Sequence, residues 1–120
     1  MQMLLLFNSD NRPFDVERIH DVFRSESRFD EVRFNTPGGS AIEADYLDGQ
    51  DSTIVRLGDD LETLTLSGQT DAALHAALIL QKHLQGSIRI IDLDYAFDLV
   101  LGDFKDIEEL RTAIDNAQAS

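Results

Sequence analysis

The sequence predicts an α+β fold: one domain over residues 1–120, with a largely antiparallel sheet of about six or seven strands and helices packed on it. Three observations carry this. Short runs of alternating apolar and polar residues recur between turn-forming clusters. Longer stretches carry apolar residues at helical spacing. No internal repeat and no Pro/Gly/Ser-rich linker divides the chain.

Met3-Leu4-Leu5-Leu6-Phe7 is a continuous apolar run of strand length, closed by Asn8-Ser9-Asp10-Asn11. Pro13 then precedes a helical pattern in which Val16, Ile19, Val22 and Phe23 form the buried stripe. From Phe29 to Asn35 the pattern alternates, with Val32 and Phe34 on one face and Arg33 on the other. Thr36-Pro37-Gly38-Gly39-Ser40 supplies turn chemistry, and Ile42, Ala44 and Tyr46 resume the alternation as the second arm of a hairpin.

Asp48-Gly49-Gln50-Asp51 is the next turn. Thr53, Val55 and Leu57 form a strand, Gly58-Asp59-Asp60 breaks it, and Leu64 and Leu66 belong to its partner. Thr70 is placed to cap the most apolar helix, Asp71 to about Leu84, with Gly86 ending it. Ser87–Asp92 and Phe97–Leu101 make a third antiparallel pair, with Phe97, Leu99 and Leu101 inward and Asp98 outward. Asp106-Ile107-Glu108-Glu109 has capping-box spacing and opens a last helix burying Ile107, Leu110, Ala113, Ile114 and Ala117 before a small polar tail. The expected order is β-α-β-β-β-β-α-β-β-α.

Composition bounds the function. The chain holds 23 acidic residues against 10 basic ones, a net charge of −13, which repels nucleic acid and anionic lipid and attracts cationic surfaces. With no cysteine, disulfides and thiolate metal sites are excluded. The apolar start is too short for a signal-peptide core or a membrane span, so a cytoplasmic location is the default expectation.

No motif names a reaction. His75 and His83 stand two helical turns apart and His20 stands alone, so ordinary surface or boundary histidines are expected and no metal site. Gly38-Gly39-Ser40 leads into a strand, whereas a phosphate loop must open a helix. Asp48-Gly49-Gln50-Asp51 and Asp92-Leu93-Asp94 resemble fragments of calcium loops, and neither completes one. No cofactor is expected.

The placement of the acids is more telling than their number. Residues 43–62 and 92–109 together hold fourteen acids and two bases, and the rest of the chain is nearly balanced. Turn propensity and helix capping account for some of these; Glu43, Asp45 and Asp98 sit inside strands, where they protect an edge or meet a partner. The expected function is therefore a small acidic bacterial binding protein and not an enzyme. Its concrete form is an immunity or inhibitor protein that captures a cationic toxin, such as a nuclease, and occludes it. The expected contacts are Asp45, Asp48, Asp51, Asp59, Asp60 and Glu62, then Asp92, Asp94 and Asp98, with Tyr46 and Tyr95 as aromatic anchors. The alternatives are a secretion-type chaperone dimer that holds a segment of an effector, a small carboxylate-using enzyme, and a salt-adapted domain.

Overall fold

The run Met3-Leu4-Leu5-Leu6-Phe7 forms the first strand, β1 (Met3–Asn8), of a computed structural model that describes residues 3–119. Met1, Gln2 and Ser120, which the single-domain expectation includes, lie outside the described residues. The remaining elements follow the expected order: α1 (Val16–Ser25), β2 (Phe29–Phe34), β3 (Ser40–Asp48), β4 (Asp51–Gly58), β5 (Leu64–Ser67), α2 (Asp71–His83), β6 (Ile88–Asp92), β7 (Asp98–Val100), a short 3-10 helix (Leu101–Asp103) and α3 (Ile107–Ala119). The fold is a single-domain α+β fold. All seven strands join one sheet in the order β2-β3-β4-β5-β1-β6-β7, and every neighbouring pair is antiparallel. β1 is inserted between β5 and β6, with Leu4 opposite both Leu66 and Asp92.

Side-chain alternation gives the sheet two different faces. Leu4, Leu6, Ile42, Ala44, Tyr46, Val55, Leu57, Leu64, Leu66, Ile88 and Ile90 are buried in one hydrophobic cluster with α1, α2 and α3. The opposite face carries Met3, Leu5, Phe7, Ile54, Arg56 and Thr65, all half-buried, and no element among the described residues lies across it. Ile91 is buried but belongs to this second face and stands outside the core cluster.

Each helix is started by a carboxylate. Asp15 accepts from the Glu17 N–H at 2.9 Å to open α1. Thr70 occupies the position before α2, but its side chain caps nothing; Asp51 of β4 reaches across and accepts from the Ala72 N–H at 3.1 Å. Asp106 accepts from the Glu109 N–H at 3.0 Å, and Glu109 reaches back to the Lys105 N–H at 2.8 Å, a reciprocal pair close to the expected capping box.

Four expectations are corrected in detail. The alternation of β2 is broken by a register shift between Asp30 and Arg33, with Glu31 at a φ of 52°, so Phe34 ends 50% exposed against the edge of His20. β7 is three residues long because Leu101 turns into the 3-10 helix. Ser87 lies outside β6, which starts at Ile88. The stretch expected as a polar tail after Ala117 continues as helix to Ala119. No helix among the described residues is long and apolar enough to cross a membrane.

Candidate functional site

The strand register separates the expected acidic contact set. Asp48 and Asp51 flank the β3–β4 turn at one end of the sheet, and Asp92 and Asp94 lie at that same end beyond β5 and β1. Asp59, Asp60 and Glu62 follow β4 and lie at the other end, roughly 24 Å away along the strand. The first acidic segment is therefore split between the two ends of the sheet, and its Asp48–Asp51 part shares an end with Asp92 and Asp94.

Several of these acids are occupied within the fold. Asp51 caps α2, and the Ala72 N–H it accepts holds its carboxyl below the ordinary value. Asp92 is 5% exposed and accepts from the Ala96 N–H at 2.7 Å, which shapes the β6–β7 turn. Asp98 pairs with Arg89 across β6–β7, with Nε to Oδ1 at 2.9 Å. Asp45 accepts from Arg33 Nη2 at 3.1 Å. Tyr46, expected as an aromatic anchor, is fully buried because it continues the inward phase of Ile42 and Ala44. It packs at 4.9 Å from Phe29 and serves the core.

Arg33 holds the densest charge network on the uncovered face. It donates to Glu43 Oε2 through Nε at 3.0 Å and Nη2 at 2.8 Å, and Arg56 Nε stands 3.8 Å from Glu43. The hydrogen bond to Glu43, then that to Asp45, raises the Arg33 pKa. Burial pushes Glu43 upward, yet the hydrogen bond from Arg33 and the charges of Arg33 and Arg56 outweigh it and hold Glu43 below its ordinary value. Strand pairing sets Glu43 opposite both Arg33 and Arg56, whereas Asp45, opposite Asp30 and Ile54, is reached diagonally by Arg33.

What remains exposed on the uncovered face is more selective than the composition suggests. Leu5, Phe7 and Ile91 form the floor of a shallow cleft of about 390 Å³, with Glu62 and Tyr95 on its rim. A second depression shares Thr63 and carries Asp59 and Asp60 at its edge. Tyr95 is 72% exposed and has a φ of 54°, a left-handed conformation that costs a bulky residue energy. Asp94 precedes it in the same exposed turn.

A second constellation has no signature in the sequence. Asp48 accepts from His75 Nδ1–H at 2.6 Å, which fixes the ring tautomer, and Arg28 Nη1 stands 3.6 Å from Asp48 and 3.4 Å from the Tyr46 hydroxyl. The hydrogen bond to Tyr46, with the charges of Tyr46 and Asp48, raises the Arg28 pKa further. His75 is thus a paired residue beside a groove, and the pairing joins positions 27 apart, beyond the reach of local spacing. Arg28, His75, Lys82 and Lys105 line that groove, which has a volume of about 490 Å³. Among the described residues no three His, Cys, Asp or Glu side chains converge on a metal-sized site. No protein-family model, no curated protein and no solved structure matches this chain.

Proposed function

We propose that the protein is a small bacterial-type immunity protein that captures a cationic toxin on the uncovered face of its sheet and occludes it. The observation that carries this reading is the face itself. An apolar floor of Leu5, Phe7 and Ile91 is rimmed by Tyr95 and Glu62, with Asp59 and Asp60 beside it. Large exposed aromatics over an apolar floor are typical of contact centres, and rim charge steers the encounter. Of the carboxylates expected from sequence, Asp59, Asp60, Glu62 and Asp94 carry the steering role, and Tyr95 is the anchor. Asp45, Asp48, Asp51, Asp92 and Asp98 organise the fold, and Tyr46 belongs to the core. A cytoplasmic location fits this role, where the chain would protect its own cell.

The test is complex formation with the product of the gene immediately upstream, measured by calorimetry at low and high salt. Affinity should fall as salt rises. Tyr95→Ala should weaken it by about tenfold or more, the loss of one anchor residue. Reversal of Asp59, Asp60 and Glu62 to lysine should flatten the salt dependence as well. Absence of a complex, or a complex unmoved by all four changes, overturns the proposal. A salt-insensitive homodimer through the same face would overturn it in favour of a secretion-type chaperone.

A further inference from the structure

The groove over α2 lies on the helical side of the molecule, away from the uncovered sheet face. Its base is the part of α2 that the core leaves uncovered: half-buried His75, Leu78 and Ile79 and exposed Lys82 recur at helical spacing. One wall is Arg28 with Tyr46, and the other is the segment from Leu101 to Ile107. We propose that this groove binds a small organic carboxylate with an apolar body.

The charge pattern is the first argument. Seven of the eight arginines form an ion pair among the described residues. The chain has only two lysines, acids outnumber bases more than two to one, and still neither the Lys82 nor the Lys105 ammonium forms an ion pair with a carboxylate among the described residues. Both line this one groove, together with Arg28, against the single carboxylate Asp106 in its wall. Arg28 uses only Nη1 for its long contacts to Tyr46 and Asp48, which leaves the rest of its guanidinium fork for a bidentate acceptor.

The apolar lining is the second argument. Leu78, Ile79, Phe104 and Ile107 are half-buried, packed against the core on one side and facing the groove on the other. A ligand with a carboxylate head and an apolar body covers this surface and neutralises the cations at once. The volume of about 490 Å³ falls within the ordinary range for small-ligand pockets. The net charge of −13 decides among anions: a singly charged carboxylate approaches against less repulsion than a phosphate dianion or a nucleotide. A second copy of this acidic chain meets the same repulsion.

The probe is sodium octanoate, with neutral octanamide as its comparison, titrated into isotopically labelled protein and followed by backbone amide NMR. Octanoate should shift the amides of Leu78, Ile79, Lys82 and Gly102 saturably, and octanamide should bind about tenfold more weakly or worse, the loss of charge-assisted hydrogen bonds. The double variant Lys82→Gln with Lys105→Gln should raise the octanoate Kd by about tenfold or more. No shift at these amides, equal binding of octanamide, or a double variant that binds octanoate as well as the parent would overturn the proposal. The octanoate–octanamide comparison is made on the unaltered protein, so it remains decisive even if the variant folds poorly.

Discussion

Replacing Glu43 with glutamine tests whether the charge network on the uncovered face stabilises the sheet. Glu43 is 7% exposed and accepts two hydrogen bonds from Arg33, at 3.0 and 2.8 Å, while Arg56 stands 3.8 Å away. Stranding a fully buried ion-pair partner costs about 3–5 kcal/mol. That figure is too large here, because the Arg33 side chain is 35% exposed and Asp45 still accepts from it at 3.1 Å. The amide of Glu43→Gln also keeps one acceptor, so the loss reduces to about 1–2 kcal/mol after solvent screening. Removing one acid from a chain of net −13 relieves some self-repulsion, which urea unfolding in about 0.15 M salt suppresses. The pH dependence gives the sharper readout. Glu43 titrates below its ordinary 4.5 in the folded protein, so its contribution is complete above that value and is lost as pH falls through the lowered one. The deficit of Glu43→Gln against the parent should be about 1–2 kcal/mol near pH 7 and shrink toward zero as pH falls through the lowered Glu43 pKa. Equal stability near pH 7, or a deficit that persists unchanged into acid, would refute the reasoning.

Three further outcomes are expected. Leu66→Ala, at a fully buried position between β4 and β1, should cost about 2–5 kcal/mol in urea unfolding with the denaturant slope unchanged. Asp51→Ala removes the acceptor that starts α2 from the neighbouring sheet, so it should lower the melting temperature; because the Asp51 pKa is depressed, the gap to the parent should narrow as pH falls through that depressed value, as differential scanning calorimetry can show. Tyr95→Gly relieves a left-handed conformation and should hold or raise stability by up to about 1 kcal/mol while weakening the proposed toxin binding about as much as Tyr95→Ala, so thermal and binding assays should move in different directions.

Much of the fold was legible because its signals are local. The apolar run at Met3–Phe7, the alternation through Ile42, Ala44 and Tyr46, and the spacing of Ile19, Val22 and Phe23 each state which side of an element must leave water. Phe34 misled because a shift of pairing register in β2 leaves no mark in the apolar pattern. The candidate sites were harder to read. An aspartate in a turn looks the same whether it awaits a partner or, like Asp51, caps a helix that begins twenty residues later. Tyr46 could be read as an anchor or as core; its inward phase, already present in the alternation, pointed to the core. The pairing of His75 with Asp48 and the convergence of Lys82 with Lys105 depend on how α2 lies against the β3–β4 turn and the start of α3, which no spacing encodes.

The two borders of the sheet constrain how this protein can be recognised. β7 is only three residues long, and β2 is kinked at Glu31 and lined with charge. Neither offers a straight row of main-chain donors and acceptors to an incoming strand. Main-chain pairing is largely indifferent to sequence, whereas a face is read side chain by side chain. A protein limited to the second mode can change its preferred partner through substitutions at a few surface positions, with the backbone left as it is. Specificity and foldability are then encoded by different residues, and a lineage can vary the first while conserving the second.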